Sequence, residues 1–288
     1  MDLLFGPFAE FAFMRRALAA CLALSAGAAP IGVFLVLRRM SLMGDAIAHA
    51  VLPGAALGFL MGGLSLPALS LGGFAAGLAV AFASGLVARF TRLREDASFA
   101  GSYLIALAAG VLLVVSGGSS VDLMHILFGS ILGVDDASLL LVAGIATVSL
   151  LSVAAIYRPL VVECFDPGFL RAVGAGGSLY HMAFLALAVL NLVAGFQALG
   201  TLLSLGLLIL PATAAMFWAA TLPGMMAVAF TFAFTASAAG LVVSFHADLP
   251  SGPVIVLAAG ALYVFSLAVG RRGSLIRRLR PAHRHLEA

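Results

Sequence analysis

Long apolar stretches without a formal charge alternate with short polar segments along this chain. The longest of them, Ala172–Ala247, contains no Asp, Glu, Lys or Arg. A helix needs about 20 apolar residues to cross the hydrocarbon core of a bilayer. The stretch is therefore long enough for three membrane spans. We expect breaks between them near Gln197 and near Leu222–Gly224, where Pro and Gly interrupt the apolar run.

The same pattern over the whole chain predicts an all-α polytopic membrane protein with about nine transmembrane helices. The predicted segments are 14–37, 41–61, 67–88, 99–116, 137–157, 177–197, 199–218, 224–245 and 252–270. Residues 14–270 thus form one transmembrane domain. A Phe-rich segment at 1–13 is expected to lie at the membrane interface, and a basic tail occupies 271–288. The amphipathic stretch Val121–Leu132 is expected to be partly embedded.

The composition agrees with a lipid environment. Apolar residues make up 63% of the chain and charged residues 9%, whereas about 25% of a soluble domain is charged. There is too little polar side chain to cover a water-facing surface. The basic residues of the tail suit an anionic membrane leaflet, so nucleic-acid binding is not needed to explain them.

The arginines predict the orientation, because short cytoplasmic loops collect positive charge. With nine spans and a cytoplasmic C-terminus, thirteen of the fifteen arginines lie inside. Arg15 and Arg16 lie outside. Two Cys do not form a disulfide framework, and the N-terminus lacks a signal-peptide pattern, so the first span is expected to act as its own insertion signal.

The chain contains no lysine, so it cannot hold a standard phosphate-binding P-loop. No loop is long enough to fold as a soluble domain. We therefore expect no ATPase activity in this chain. If transport is driven by ATP, the ATPase must be a separate chain, and so must any substrate carrier.

Asp45 and His49 are the outstanding ionisable residues within the predicted spans. Their four-residue spacing puts them one turn apart on one helix face. A carboxylate in a membrane costs roughly 2.5–3.5 kcal/mol on insertion scales, so it is a functional candidate. Carboxylate and imidazole together suit Zn²⁺, Mn²⁺ or Fe²⁺. The alternative is an Asp45 that stays hydrated near the interface or pairs with Arg39. Pro30 and Pro53 suggest broken helices nearby, which transporters use to bind substrate.

Several motifs resemble the membrane permeases of zinc, manganese and iron ABC importers, over nearly the whole chain. They are Val33–Ser41, Gly44–Asp45, His49–Gly54, Asp122–Gly129, Leu199–Leu203, Leu210–Ala212 and Ser251–Pro253. The resemblance implies the helical architecture of type II (vitamin-B12-importer-like) permeases. It also implies a homodimer, two cytoplasmic ATPase subunits and an extracytoplasmic metal-binding protein, in a bacterial inner (plasma) membrane.

The resemblance further implies that Asp45 and His49 coordinate the metal in the pore, with no permanently bound cofactor. The family's coupling segment, which contacts the ATPase, matches residues in the loop at about 158–176; they are Phe165, Asp166, Pro167, Gly168, Ala172 and Gly174. The residues themselves are consistent with a short capped helix there, since Asp166 suits the N-cap and Pro167 the first helical position. An ordinary connecting loop is the alternative.

The resemblance predicts import of a divalent metal ion by alternating access, with zinc preferred and manganese or iron as alternatives. An ion- or proton-coupled secondary carrier that works alone is the rival hypothesis, with Asp45 as its coupling site. A membrane-embedded hydrolase is a weaker one, because no nucleophile–base pair stands out within the spans. For Asp122 and His125, near the outer surface, we expect an interfacial structural role.

Overall fold

The computed structural model describes residues 2–63, 65–93, 95–116, 134–173 and 176–275, and all regular structure in these ranges is helical. The helices are α1 Asp2–Glu10, α2 Ala12–Leu37, α3 Ser41–Gly62, α4 Leu66–Phe90, α5 Glu95–Ser116, α6 Asp136–Ala155, α7 Tyr157–Phe165, α8 Pro167–Ala172, α9 Gly177–Leu199, α10 Thr201–Ala215, α11 Leu222–Ala247 and α12 Ser251–Val269. Asp122, His125 and the tail beyond Leu275 lie outside the described residues.

The predicted all-helical membrane fold is confirmed. Eight helices in the described part of the chain are long and apolar enough to cross a membrane: α2, α3, α4, α5, α6, α9, α11 and α12. The remaining predicted segment, 199–218, is the 15-residue helix α10. At about 1.5 Å per residue, 15 residues extend only about 22 Å, less than the ~30 Å hydrocarbon core. The helix in this segment is therefore shorter than the sequence predicts.

Gly200 explains the short helix. It separates α9 from α10, is buried, and has φ 90° and ψ 161°, which only glycine adopts readily. Pro30 and Pro53, in contrast, lie inside the continuous helices α2 and α3. The suggested breaks at Pro30 and Pro53 are therefore wrong, whereas the break expected near Gln197 occurs three residues later, at Gly200.

Helices α2 and α9 form the centre of the bundle and are the most buried of the long helices, while α5 and α12 are the least buried. The largest apolar cluster joins Phe34 of α2, Ile47 of α3, Leu160 of α7 and Phe184 of α9. A helix that is apolar all round can face protein or lipid, so only packing distinguishes central from peripheral helices.

Helix α3 is held by close backbone contacts on two sides. Gly54 packs directly on Gly72 of α4, and Gly58 packs on Ala68 one turn further along. Gly110 of α5 lies against Pro53. Small residues at four-residue spacing allow such approach in lipid. These close approaches join helices of the same chain.

Most of the described arginines lie at one end of the bundle, which we call the arginine face; they are Arg38, Arg39, Arg92, Arg158, Arg271 and Arg272. The C-terminal end of α2 meets α7 there, since Arg38 lies near Glu163. Val33 of α2 packs with Ala215 at the end of α10. The loop that follows α10 meets the end of α12, because the Arg272 N–H donates to the Phe217 carbonyl at 2.9 Å. Helix α10 therefore returns the chain to this face despite its length.

Candidate metal pathway and coupling segment

The Asp45–His49 pair lies on the N-terminal half of α3. The Asp45 Oδ1 and His49 Nε2 atoms are 3.7 Å apart, and the two side chains are 61% and 44% exposed. Among the described residues the Asp45 carboxylate lies next to His49 and forms no ion pair with Arg39, which answers one alternative from the sequence. The exposed carboxylate and imidazole keep free lone pairs that a cation can use.

Helical geometry sets the direction of the pair. Gly54 follows Asp45 by nine residues, which at about 100° per residue puts it on the opposite side of α3. The α4 contact therefore lies behind the pair, and α5 lies beside it. Tyr103 of α5 stacks on the His49 ring, with centroids 6.1 Å apart and planes inclined by 25°.

A cavity of about 400 Å³ opens between α3 and α5. Its lining includes Asp45, Arg39, Asp96 and Tyr103. Arg39 follows the end of α2, so the cavity extends from Asp45 to the arginine face. It gives Asp45 a route to that side of the bundle through a partly polar space.

Within the described residues, no group of three or more His, Cys, Asp or Glu side chains is placed to hold a metal ion. The Asp45–His49 pair thus offers two ligand side chains per chain. Zn²⁺ usually has four ligands in a closed site and three plus water in an open one. A single copy of the described chain therefore does not complete a site of this kind.

The loop expected to couple to an ATPase contains a capped helix, as its residues suggest. Asp166 separates α7 from α8, and its Oδ1 accepts a hydrogen bond from the Phe169 N–H at 3.0 Å. Pro167 is the first residue of α8, Gly168 the second and Ala172 the last. Gly174 lies outside the described residues. The predicted N-cap is therefore present, and the coupling role stays a prediction.

Helix α8 has one apolar anchor and an exposed apolar edge. Leu170 is 6% exposed and holds the helix to the bundle. Phe165, Phe169 and Val173, spaced four residues apart, are 65%, 55% and 63% exposed. Large apolar side chains clustered on an exposed surface often mark an interaction site.

Sequence reasoning missed several residues around these sites. Tyr103 and Asp96 reach the pair and its cavity only because α5 packs on α3. Glu163 and His181 contact Arg38 at the arginine face. A glutamate inside the apolar run Leu160–Phe165 was the available signal for this second group.

Comparison with known proteins identifies the family. The model of the ABC 3 transport family matches residues 10–270. The chain is 34% identical over 260 residues to the manganese import system permease protein ScaB of Streptococcus parasanguinis, covering 90% of this chain and 91% of that protein. It is 35% identical over 271 residues to the chelated iron transport system membrane protein YfeD of Yersinia pestis, covering 93% and 90% of the two chains.

Solved structures agree with this assignment. PsaBC from Streptococcus pneumoniae in complex with Fab contains a chain with a TM-score of 0.82 and 32% identity, covering 96% of this chain and 98% of that one. An inward-facing putative metal-chelate type ABC transporter matches with a TM-score of 0.69 at 16% identity, which supports the fold alone. The resemblance to membrane permeases of metal-ion ABC importers is confirmed, and the chain belongs to the ABC 3 transport family.

Proposed function

We propose that this chain is the pore-forming subunit of an importer that moves a divalent metal ion across a bacterial inner (plasma) membrane, with Asp45 and His49 as transient ligands. The observation that carries the proposal is the exposed carboxylate–imidazole pair one turn apart on α3. The cavity beside Asp45 offers the ion a way toward the arginine face.

Manganese and iron are the first substrates to test, because the named relatives carry these metals. Carboxylate and imidazole ligands suit both, and they suit zinc as well. The preference for zinc stays a prediction. Selectivity can also reside in a separate binding protein that delivers the ion.

A homodimer would complete the ligand set. Two copies related by a two-fold axis bring together two Asp and two His side chains, and a C₂ interface makes this arrangement symmetric. Binding must stay weak enough for the ion to leave again. The high exposure of both side chains in one chain is consistent with a site shared between copies.

The apolar edge of α8 supports contact with a separate ATPase on the arginine face. Phe165, Phe169 and Val173 are all more than half exposed, so they leave an apolar surface that a partner can cover. ATP binding and hydrolysis in the partner would move α8 and switch the permease between outward-open and inward-open states. An extracytoplasmic protein would deliver the metal at the opposite end, which makes the arginine face and the C-terminus cytoplasmic.

The metal site is tested by Asp45→Asn and His49→Ala. The control is Asp136→Asn, an exposed aspartate of the Arg16–Asp136 surface pair at the start of α6. Uptake of Mn²⁺, Fe²⁺ and Zn²⁺ is measured in vesicles that contain the permease, its ATPase and the loaded binding protein. We expect both site variants to abolish uptake while ATP hydrolysis remains measurable, and the control to transport normally. Wild-type uptake by both site variants would refute the site. Uptake without the ATPase would favour a secondary carrier.

The coupling segment is tested by Phe169→Asp, which places a charge on the apolar edge. Leu249→Asp is the matched control, because Leu249 is 49% exposed in the loop between α11 and α12. We expect Phe169→Asp to weaken co-purification with the ATPase and to reduce uptake, and Leu249→Asp to do neither. Normal assembly and uptake with Phe169→Asp would show that the apolar edge of α8 does not contact the ATPase.

The orientation is tested by single cysteines in a Cys21→Ser, Cys164→Ser background. Ala247, the last residue of α11, and Leu275, which follows α12, are both exposed. In intact cells, a membrane-impermeant maleimide should label Ala247→Cys and leave Leu275→Cys unlabelled. Labelling of Leu275→Cys alone would reverse the orientation.

A further inference from the structure

Three ionisable side chains meet where α2, α7 and α9 converge, and we call them the buried cluster: Arg38, Glu163 and His181. Arg38 Nη2 lies 2.6 Å from His181 Nδ1 and 3.9 Å from Glu163 Oε1. The Arg38 and Glu163 side chains are each 9% exposed. Because a guanidinium only donates hydrogen bonds, His181 Nδ1 accepts, which places the ring proton on Nε2.

Stability alone does not explain why these charges are buried. Removing two ions from water is unfavourable, and their attraction seldom exceeds what a well-packed apolar pair would provide. Arg38 Nη1 is buried without a hydrogen-bond partner among the described residues, so the arrangement is not optimised for stability. The surrounding side chains are already apolar: Phe34, Leu160 and Phe184 join these three helices in one cluster.

The cluster links two segments that the proposed mechanism needs to connect. Glu163 lies on α7, three residues before Asp166, the residue that caps α8. A displacement of α8 therefore reaches Glu163 through one short helix. Leu160 is fully buried on the same helix, so α7 is seated in the bundle and not free at the surface.

Arg38 is joined just as closely to the transport helix. Only Arg38, Arg39 and Met40 separate α2 from α3. The turn is held by backbone hydrogen bonds from Arg38 to Phe34 at 3.0 Å and from Met40 to Leu35 at 2.8 Å. Arg39 adopts a left-handed φ of 59°, which is uncommon for a residue with a side chain. Such a short, bonded turn passes a shift of Arg38 to the start of α3 at Ser41, four residues before Asp45.

We propose that the buried cluster is the mechanical link between the coupling segment and the metal site. When α8 moves, Glu163 moves with it, and Arg38 moves with Glu163. The shift of Arg38 then moves α3, which carries Asp45 and His49. His181 and the Phe184 ring, whose centroid lies 5.4 Å from Arg38 Cζ, hold the guanidinium in place from α9. The opposite charges fix the position of Arg38 relative to Glu163, which apolar packing between the same helices would not do. The three residues are positioning residues and do not touch the ion.

The decisive variant replaces both charges with apolar side chains, Arg38→Leu with Glu163→Leu. Removal of both partners leaves no uncompensated buried ion, so the protein should fold with wild-type or higher thermal stability. Reconstituted with its ATPase and Mn²⁺-loaded binding protein, it should hydrolyse ATP within about twofold of wild type. The number of Mn²⁺ ions imported per ATP should fall by about tenfold or more. A structural role alone would leave this ratio unchanged in a stable protein.

Two further variants keep the test conclusive. Arg16→Leu with Asp136→Leu makes the same kind of replacement in the exposed surface pair, whose atoms are 2.8 Å apart, and should leave the ratio unchanged. If the double apolar variant fails to fold, Glu163→Gln, which keeps the shape and removes the charge, should lower the ratio in the same direction. A folded apolar or Gln variant with a wild-type ratio would overturn the proposal.

The inference rests on the proposed contact between α8 and the ATPase, and the two can fail separately. If Phe169→Asp assembles and transports normally, the proposed coupling segment is wrong. The buried cluster then receives no movement from the ATPase through α8. If Phe169→Asp disrupts assembly while the double apolar variant imports Mn²⁺ at the wild-type ratio, the coupling segment stands and the buried cluster is not the link.

Discussion

Two ionisable pairs flank the beginning of α3, and they differ in exposure and not in separation. Asp45 and His49 are 3.7 Å apart with side chains 61% and 44% exposed. Arg38 and Glu163 are 3.9 Å apart, and each side chain is 9% exposed. One pair lies within a single helix, whereas the other joins two helices that are distant in sequence.

The difference indicates what each pair can do. An exposed carboxylate and imidazole retain unused lone pairs, so they can bind an ion and release it. A buried guanidinium and carboxylate have fixed neighbours, and a change at one of them displaces the other. The Asp45–His49 pair is thus suited to bind and release an ion. The Arg38–Glu163 pair, at nearly the same distance, is suited to transmit movement between helices.

Close backbone packing against α4 holds α3 behind the exposed pair, so the position of the pair should depend on this packing. Gly54→Leu would drive a side chain into the Gly72 backbone and should abolish both folded protein and metal uptake. Gly144→Leu is the control, because nothing lies within 4 Å of a Cβ there. Fluorescence-detected size-exclusion chromatography measures the folded fraction. Normal amounts of Gly54→Leu would mean that α3 tolerates separation from α4.

Removal of one member should affect the stability of the two pairs differently. Glu163→Ala leaves Arg38 buried without its counter-charge, at a loss on the order of 3 kcal/mol. Asp45→Ala should change stability by no more than about 0.5 kcal/mol, because both side chains of that pair are exposed. Thermal unfolding of the purified permease in detergent compares the two variants. Equal losses would contradict the contrast between them.

Tyr103 should affect metal uptake without affecting the buried cluster. Its ring stacks on His49, and aromatic stacking contributes about 0.5–1.5 kcal/mol beyond burial. Tyr103→Ala should therefore raise the Mn²⁺ concentration for half-maximal uptake by up to about tenfold. Tyr103→Phe keeps the ring and should behave like wild type. A similar loss in both variants would point to the hydroxyl group rather than the ring.

Cys164 reports directly on the buried pair beside it. Burial raises the pKa of the Cys164 thiol, and the nearby Arg38 guanidinium partly opposes this. Because only the thiolate reacts with maleimide, labelling near neutral pH should be slow and should rise at a higher pH than for an exposed thiol. Val173→Cys in a Cys164→Ser background supplies that comparison, since Val173 is 63% exposed. Both proteins carry Cys21→Ser.

The same thiol can also report on the charge of Glu163. Glu163→Gln removes a neighbouring negative charge that raises the Cys164 pKa, so labelling of Cys164 should become several-fold faster. Labelling of Val173→Cys should not change with Glu163→Gln. An unchanged rate at Cys164 would show that the charge of Glu163 does not control the environment of this thiol.

Local sequence patterns were sufficient to predict most of the helices and part of the candidate site. The lengths of the apolar stretches predict the helices, because a bilayer imposes the same length on every span. The Asp45–His49 pair follows from its four-residue spacing, since neighbours one turn apart are fixed by the helix itself. The Asp166 cap follows in the same way from Asp-Pro at a helix start.

The tertiary structure decided the features that depend on distant neighbours. His181 lies 143 residues from Arg38 in sequence, and Tyr103 reaches His49 only because α5 packs on α3. Pro30 and Pro53 do not break their helices, since the surrounding bundle accommodates both prolines. The sequence by itself determined where helices form and which residues share a turn, because both depend on local geometry. Only the packed bundle decided which charges are buried and which stay exposed, because burial depends on side chains that arrive from elsewhere in the chain.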